Sequence, residues 1–330
     1  MNQLLREAMV PPLFAADDVL PMLIAWRAEG QKTALVTVVG IEGPAPRPVG
    51  AQMAVAEDGR FIGYLSGGCL EQAVVLEAQS AIRDGRNRLI RYGKGSPYID
   101  VKLPCGSGLD LYFDQSLSDS ALQDISDRRR KRIPLVVTTD LASGRSAVLE
   151  AAAAGPEPAT LSPDRQTFSR LILPALRIML IGAGPSVPAI ARLIRLLGLE
   201  LDAYSPDAAT LDELRLAGCP AYELTKDSLP DAERLDEWCA AVLAFHEHAW
   251  EPPILAQLLR TKCFYIGALG GRRVHASRLA ALQEHGGAAK DLARIRGPIG
   301  LIPGAKSRAT IALGVVAELI AEAKARGFLS

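Results

Sequence analysis

The spacing of apolar positions changes repeatedly along the chain, and each change predicts an element. Val19, Met22, Leu23 and Trp26 fall on one side of a helix over Ala16–Gly30. Lys32–Val39, rich in Val and Thr, and Gln52–Ala56 read as strands, with the Gly- and Pro-rich loop Gly40–Gly50 between them. Phe61–Leu65 is a short apolar and aromatic strand. After it Leu70, Val74, Ala78 and Ile82 recur at i+4, giving a helix over Cys69–Arg83 that stops near Gly85. Arg88–Tyr92 and Leu109–Phe113 are further strands, and the polar Asp114–Lys131 is helical in part. Ile133–Thr139 and Arg145–Glu150 flank Asp140-Leu-Ala-Ser-Gly144, a hairpin signal.

Ala151–Asp164, with its alanines, Gly155 and prolines, is the expected domain boundary. Beyond it strands alternate with helices: Ala175–Ile181, a helix with Ile190, Leu193, Ile194 and Leu197, then Leu199–Tyr204, Ala240–Phe245 and Cys263–Ile266. That alternation predicts a parallel sheet covered on both faces. The expected fold is therefore α/β. An N-terminal mixed α/β domain over residues 1–160 precedes a Rossmann-like, doubly wound parallel-sheet domain over residues 161–330.

Composition narrows the function. Lys+Arg and Asp+Glu are both 37, which gives no net charge to draw the chain to nucleic acid or an anionic membrane. No apolar run approaches the roughly 18 residues that span a bilayer, and Met1-Asn-Gln-Leu-Leu-Arg-Glu7 is no secretory signal. Cys69, Cys105, Cys219, Cys239 and Cys263 are odd in number and include no Cys-x-x-Cys pair. They fit a reducing cytoplasm and argue against a structural zinc site.

Candidate chemistry gathers in loops. In Ser66-Gly67-Gly68-Cys69 the cysteine sits beside a helix N-terminus, where the dipole favours a thiolate or a bound phosphate; alternatively Cys69 is a small buried hydrophobe. Pro104-Cys105-Gly106-Ser-Gly108 repeats the cysteine–glycine style, and Pro44-Ala-Pro-Arg47-Pro48 is a rigid arginine loop. All histidines lie in the second half, so Cys69 lacks the partner a hydrolase would use to activate it. In the second half, Gly182-Ala-Gly184 follows a strand and opens a helix, as a dinucleotide fingerprint does. The third glycine position, however, is Val187, and the nearest acid at the next strand end, Asp207, lies beyond Pro206. Phe245-His246-Glu-His248 is either half of a metal site or an ordinary loop. The turn Gly267–His275 carries Arg272 and Arg273, which suit a phosphate or planar anion; otherwise they are solvated charges at a helix start.

These loops together resemble the xanthine dehydrogenase accessory protein family, the XdhC/CoxI type. The likeness rests on Gly43-Pro-Ala-Pro-Arg-Pro48, Gly63–Glu71, Ile90-Arg-Tyr-Gly93 and Leu103-Pro-Cys-Gly106. It continues at Tyr265–Gly270, Arg272-Arg-Val-His275 and Ile295–Leu301. The resemblance implies a cytoplasmic helper that binds molybdenum cofactor, guards it while a cysteine desulfurase supplies the sulfido ligand, and delivers it to a molybdenum hydroxylase apoenzyme. It implies that Cys69, flanked by Gly67 and Gly68, contacts the metal centre or guards it. Cys105 and Gly106 come second, Arg47 meets the anionic end, and Gly182, Gly184, Arg272 and Arg273 are further cofactor contacts. The chain departs from the family pattern at Pro185-Ser-Val187, Ser205, Phe245-His-Glu247 and Gly300-Leu-Ile-Pro-Gly304, all around the second domain's crevice.

The leading expectation is thus a cofactor-binding maturation factor rather than an enzyme, with the domains closing over a common cleft and with homodimerisation open. Two readings compete with it. One is an NAD(P)-dependent oxidoreductase or a nucleotide-using, cofactor-modifying enzyme. The other is a scaffold that bridges desulfurase and target without holding cofactor.

Overall fold

The computed structural model describes residues 18–68, 70–96, 106–151, 157–229, 231–284 and 287–329. The chain forms two compact units, residues 1–174 and 175–329.

In the first unit, helix α1 (Leu20–Ala28) precedes strands β1 (Thr33–Glu42), β2 (Gln52–Ala56) and β3 (Phe61–Ile62). Helix α2 (Glu71–Asp84), β4 (Arg88–Gly93), β5 (Gly108–Asp114) and α3 (Asp119–Arg130) follow. The strands form an antiparallel sheet in the order β3-β2-β1-β5-β4. Its alternating side chains supply two cores. Val36, Val38, Met53 and Leu111 pack with Val74, Ala78 and Ile82 of α2. On the other face Leu35 and Ala54 pack with α1, α3 and a second sheet. Covering on both faces explains why β2 and β5 are buried along their whole lengths.

The second sheet is β6 (Leu135–Asp140), β7 (Ser146–Glu150), β8 (Ala159–Leu161) and β9 (Thr167–Ile172), antiparallel in the order β7-β6-β9-β8. The β6–β7 hairpin is the one the sequence signals. The β8–β9 hairpin falls across the stretch read as a linker and belongs to the first unit. Its pattern is hidden because Arg170 lies between Phe168 and Ile172 on the same strand face, where its Nε donates to the Gly50 carbonyl at 3.1 Å. A charged residue there breaks the apolar alternation that would mark a strand.

The second unit alternates as expected. β10 (Arg177–Gly182), α4 (Ser186–Leu197), β11 (Glu200–Ser205), α5 (Ala208–Leu216) and β12 (Ala221–Glu223) form one half. β13 (Cys239–Ala244), α6 (Glu251–Leu258), β14 (Tyr265–Ala268), α7 (Arg272–Glu284), α8 (Ala289–Leu292), β15 (Ile295–Arg296) and α9 (Arg308–Ala325) form the other. All pairings are parallel, in the order β12-β11-β10-β13-β14-β15, the Rossmann arrangement. The order reverses between β10 and β13, so the crevice of such a sheet opens beyond Gly182 and Ala244. Among the described residues no helix is long and apolar enough to cross a membrane.

Candidate functional site

In the first unit the strand registers bring the chemically distinctive loops to one end of the five-stranded sheet. Glu42, which ends β1, pairs with Gly108, which begins β5, and Gly108 pairs with Gly93 at the end of β4. The Arg47 loop leaves β1 at this end, and the segment carrying Gly106 enters β5 there. A Cβ on Gly43 would lie 3.6 Å from Ser107 Cα, so the two segments run side by side. Gly63 follows β3 at the same end, so close to Gln52 and Val19 that a Cβ would meet the Gln52 carbonyl at 2.4 Å. Ala45, Leu65 and Leu70 pack into one apolar cluster, tying the arginine loop to the glycine loop.

Gly67 and Gly68 are exposed, with φ of +78° and +112°. Among the described residues no atom lies within 4 Å of a Cβ built on either, so it is backbone conformation that favours glycine here. Gly106 has the same character, at φ +68° with no described residue within 4 Å of a Cβ. Arg47 is half-buried. Cys69 and Cys105 lie outside the described residues.

The helix after the glycines starts at Glu71, and Glu71's own carboxylate occupies its N-terminal end. Oε1 accepts the Leu65 and Ser66 N–H groups at 3.0 and 2.9 Å. Oε2 accepts the Ser66 hydroxyl at 2.8 Å and the Leu70 N–H at 3.1 Å. Only 5% of Glu71 is exposed. Burial works to raise its pKa, yet the hydrogen bonds from Ser66 and its neighbours outweigh burial and hold it below the ordinary glutamate value. The anion expected at this helix start is therefore in place already, as a carboxylate of the chain.

A second ionic group braces the same end of the sheet. Arg91 pairs with Glu42 and, at 3.1 Å, with buried Asp110; Lys94 reaches Glu42 at 2.8 Å and Arg165 reaches Asp110 at 2.7 Å. The arginine of Ile90-Arg-Tyr-Gly93 thus has a structural ion pair.

In the second unit the glycine loop is filled by its own chain. A Cβ on Gly182 would meet the Ala244 carbonyl at 2.2 Å, so this glycine serves the close approach of β10 and β13. Gly184 has φ +95°, and the His246 ring lies where its Cβ would be, with Cδ2 at 2.6 Å. The Gly184 N–H donates to Thr210 Oγ1 at 2.9 Å, and that hydroxyl donates to Asp207 at 2.5 Å. Pro185 and Pro188 have no N–H to offer, and the Val187 N–H donates to the Gly184 carbonyl. Asp207 caps α5 by accepting the Thr210 N–H at 2.8 Å. A pyrophosphate cradle needs free N–H groups over an unfilled glycine, and a ribose needs an unengaged acid. This loop provides neither, so its residues do not fit NAD(P).

Arg272 and Arg273 stand exposed in the first turn of α7, where no acid accompanies them. Neither has an ionic partner among the described residues. Two cations at a helix N-terminus oppose the dipole and favour an incoming anion. The turn before them is held from below. Arg278 and Glu251 form a buried bidentate pair, Nε to Oε2 at 2.8 Å and Nη2 to Oε1 at 3.1 Å, and Nη2 also donates to the Leu269 carbonyl at 2.8 Å. His275 packs on Gly297, and burial, followed by the Arg278 charge, pushes its pKa down. Glu318 of α9 accepts the Tyr265 hydroxyl at 2.9 Å and the Gly300 N–H at 2.5 Å, pinning the loop after β15.

The metal reading of His246 and His248 gains no third ligand. His246 lies on Gly184, His248 pairs with Glu251 at 3.2 Å, and no group of three or more potential ligands occurs among the described residues. Cys219, Cys239 and Cys263 are buried thiols. Sequence reasoning gave Glu71 and Thr210 no role of their own, and read His246 as half of a metal site or an ordinary loop rather than as the ring that fills the Gly184 turn. Glu71 had a signal, since it falls on the apolar face with Val74, Val75 and Ala78, where an acid must be internally satisfied.

Comparison with known proteins follows the same division. The model described as the XdhC and CoxI family matches residues 26–93, and that of the XdhC Rossmann domain matches residues 178–319. A molybdenum cofactor insertion chaperone, PaoD, of Escherichia coli is 32% identical over 309 residues, spanning 93% of this chain and 89% of that protein. A Bacillus subtilis protein named as a probable subunit of xanthine dehydrogenase is 28% identical over 338 residues, spanning 91% of this chain and 96% of that protein. The crystal structure of a xanthine dehydrogenase from Bacillus halodurans shares the fold with a TM-score of 0.73 at 19% identity, covering 93% of this chain and 96% of that one.

Proposed function

The chain belongs to the XdhC and CoxI family, and from that premise we propose that it is a cytoplasmic accessory chaperone for molybdenum cofactor. It holds the cofactor as cargo, guards it while a cysteine desulfurase supplies the sulfido ligand, and delivers it to a molybdenum hydroxylase apoenzyme such as xanthine dehydrogenase. The observation that carries this reading is the 32% identity, along 93% of the chain, to a protein named as a molybdenum cofactor insertion chaperone.

The chemistry of the loops supports it. Molybdenum is thiophilic, and we assign to it the thiol of Cys69, which follows Gly67 and Gly68 in sequence; the backbone of these glycines is exposed, with no described residue within 4 Å of a Cβ at either. Gly106 and Arg47 belong to the other loops at that end of the sheet; we assign Cys105, which precedes Gly106 in sequence, as the second sulfur and Arg47 to the anionic end of the cofactor. In the second unit Arg272 and Arg273 are the proposed contacts of a phosphate-like group. The filled Gly182-Ala-Gly184 loop sets the nicotinamide-dependent alternative aside.

Reconstitution tests delivery. A molybdenum hydroxylase apoenzyme is mixed with molybdenum cofactor and desulfurase, with and without this protein. Faster recovery of hydroxylase activity in its presence, lost with the Cys69→Ala variant, is the expected result. Identical recovery with and without the protein would remove the chaperone reading.

A further inference from the structure

We propose that Glu71 is the positioning residue of the glycine–cysteine loop: its single carboxylate ties both ends of the Gly67-Gly68-Cys69 arc and so sets where the thiol is offered. The functional weight of this assignment rests on the reading of that loop as the element that contacts the cofactor.

An arc containing two glycines is among the least restrained kinds of backbone, because glycine carries the largest conformational freedom. Among the described residues nothing packs within 4 Å of the Cβ positions of Gly67 or Gly68, so none of these neighbours orders the arc at either glycine. The restraint that the described residues supply comes from the two ends. At the entry, Leu65 and Ser66 donate their N–H groups to Oε1, and the Ser66 hydroxyl donates to Oε2. At the exit, the Leu70 N–H is shared between Oε2 at 3.1 Å and Ser66 Oγ at 2.8 Å. Ser66 Oγ therefore bridges entry and exit while itself held by the carboxylate.

A carboxylate is suited to this task because both oxygens only accept, so one group takes donors from both ends. A glutamine has one accepting oxygen, and its NH2 would face a donor at the other end. An ordinary helix-start acid would explain the hydrogen bond to Leu70 but not those to Leu65 and Ser66, which precede the arc. Glu71 itself is rigid, since it begins α2 and its neighbours Leu70, Val74 and Val75 are buried in the core.

The test uses the full-length chain, purified anaerobically from cells that make molybdenum cofactor, as wild type, Glu71→Gln and Ser66→Ala. Iodoacetamide labelling of Cys69 is followed by peptide mass spectrometry, with hydrogen exchange of the buried β5 amides as the reference for folding of the same unit. Bound molybdenum and pterin are measured in parallel. Loss of a charge-assisted tether is expected to raise the Cys69 labelling rate about tenfold in Glu71→Gln, while the β5 amides stay protected. Ser66→Ala, which keeps the carboxylate, gives a smaller rise, and bound molybdenum falls in the same order. A merely structural role would speed exchange of the β5 amides or lower the melting temperature without a selective change at Cys69.

Wild-type labelling and wild-type molybdenum content in Glu71→Gln would overturn the assignment. Should Glu71→Gln fail to fold, Ser66→Ala decides alone: a selective rise at Cys69 supports the tether, and an unchanged rate refutes it. A wild-type protein that binds no cofactor while Glu71→Gln still labels faster would sink the functional reading and leave the positioning role standing.

Discussion

Glycines at two of the distinctive loops serve opposite ends. Gly67 is held at positive φ with none of the described residues beside it, while Gly182 admits the backbone of a neighbouring strand. The two should therefore respond differently to one added methyl. Gly67→Ala is expected to cost about 1–2 kcal/mol, the strain of a left-handed conformation. Gly182→Ala drives a carbon to 2.2 Å from the Ala244 carbonyl and is expected to cost about 3 kcal/mol or more, because strand backbone cannot step aside. Urea unfolding of both variants measures this, and equal losses would contradict the contrast. Both glycines are conspicuous in the sequence, but their roles are not. Whether a glycine makes room for the chain or for something else depends on what the fold places opposite it. The same holds for Gly184, whose dinucleotide spacing is plain while the His246 ring above it comes from another strand's end.

At the scale of elements, the periodic segments were readable wherever side chains alternate cleanly. Strands β10, β11, β13 and β14 of the parallel sheet, the α2 helix and the β6–β7 hairpin lie where the pattern puts them, whereas the short edge strands β12 and β15 carry too few residues to show a pattern. Elements failed to show where a polar residue occupies an inward position, as Arg170 does in β9. Such residues are satisfied by partners remote in sequence, which no local pattern reveals. The Glu251–Arg278 pair is another example, joining α6 to α7 and holding the Leu269 turn ahead of Arg272 and Arg273. Because both side chains are almost wholly buried, removing one partner leaves an uncompensated charge. Glu251→Gln is expected to destabilise the fold by about 3–5 kcal/mol. The double variant Glu251→Leu/Arg278→Leu is expected to lose less than the two single variants added together. A double-mutant cycle by chemical denaturation checks this, and strict additivity would show that the pair is not coupled.

For the molecule as a whole, the fold class was legible because strand–helix alternation sets in at β10 and is absent before it. The family was legible from the order of many irregular loops along the chain, a far more specific signal than any one glycine motif. The tether on the cysteine loop and the filling of the nucleotide loop were not legible, since each depends on contacts made only once the chain folds. Both bear on the central claim that this protein carries molybdenum cofactor and does not turn over a nicotinamide. The most direct measurement is the molybdenum and pterin content of the protein purified under reducing, anaerobic conditions from cells that make the cofactor. The account predicts that both co-purify with wild type and fall sharply in Cys69→Ala of unchanged fold. Wild-type protein free of molybdenum and pterin under those conditions would contradict it.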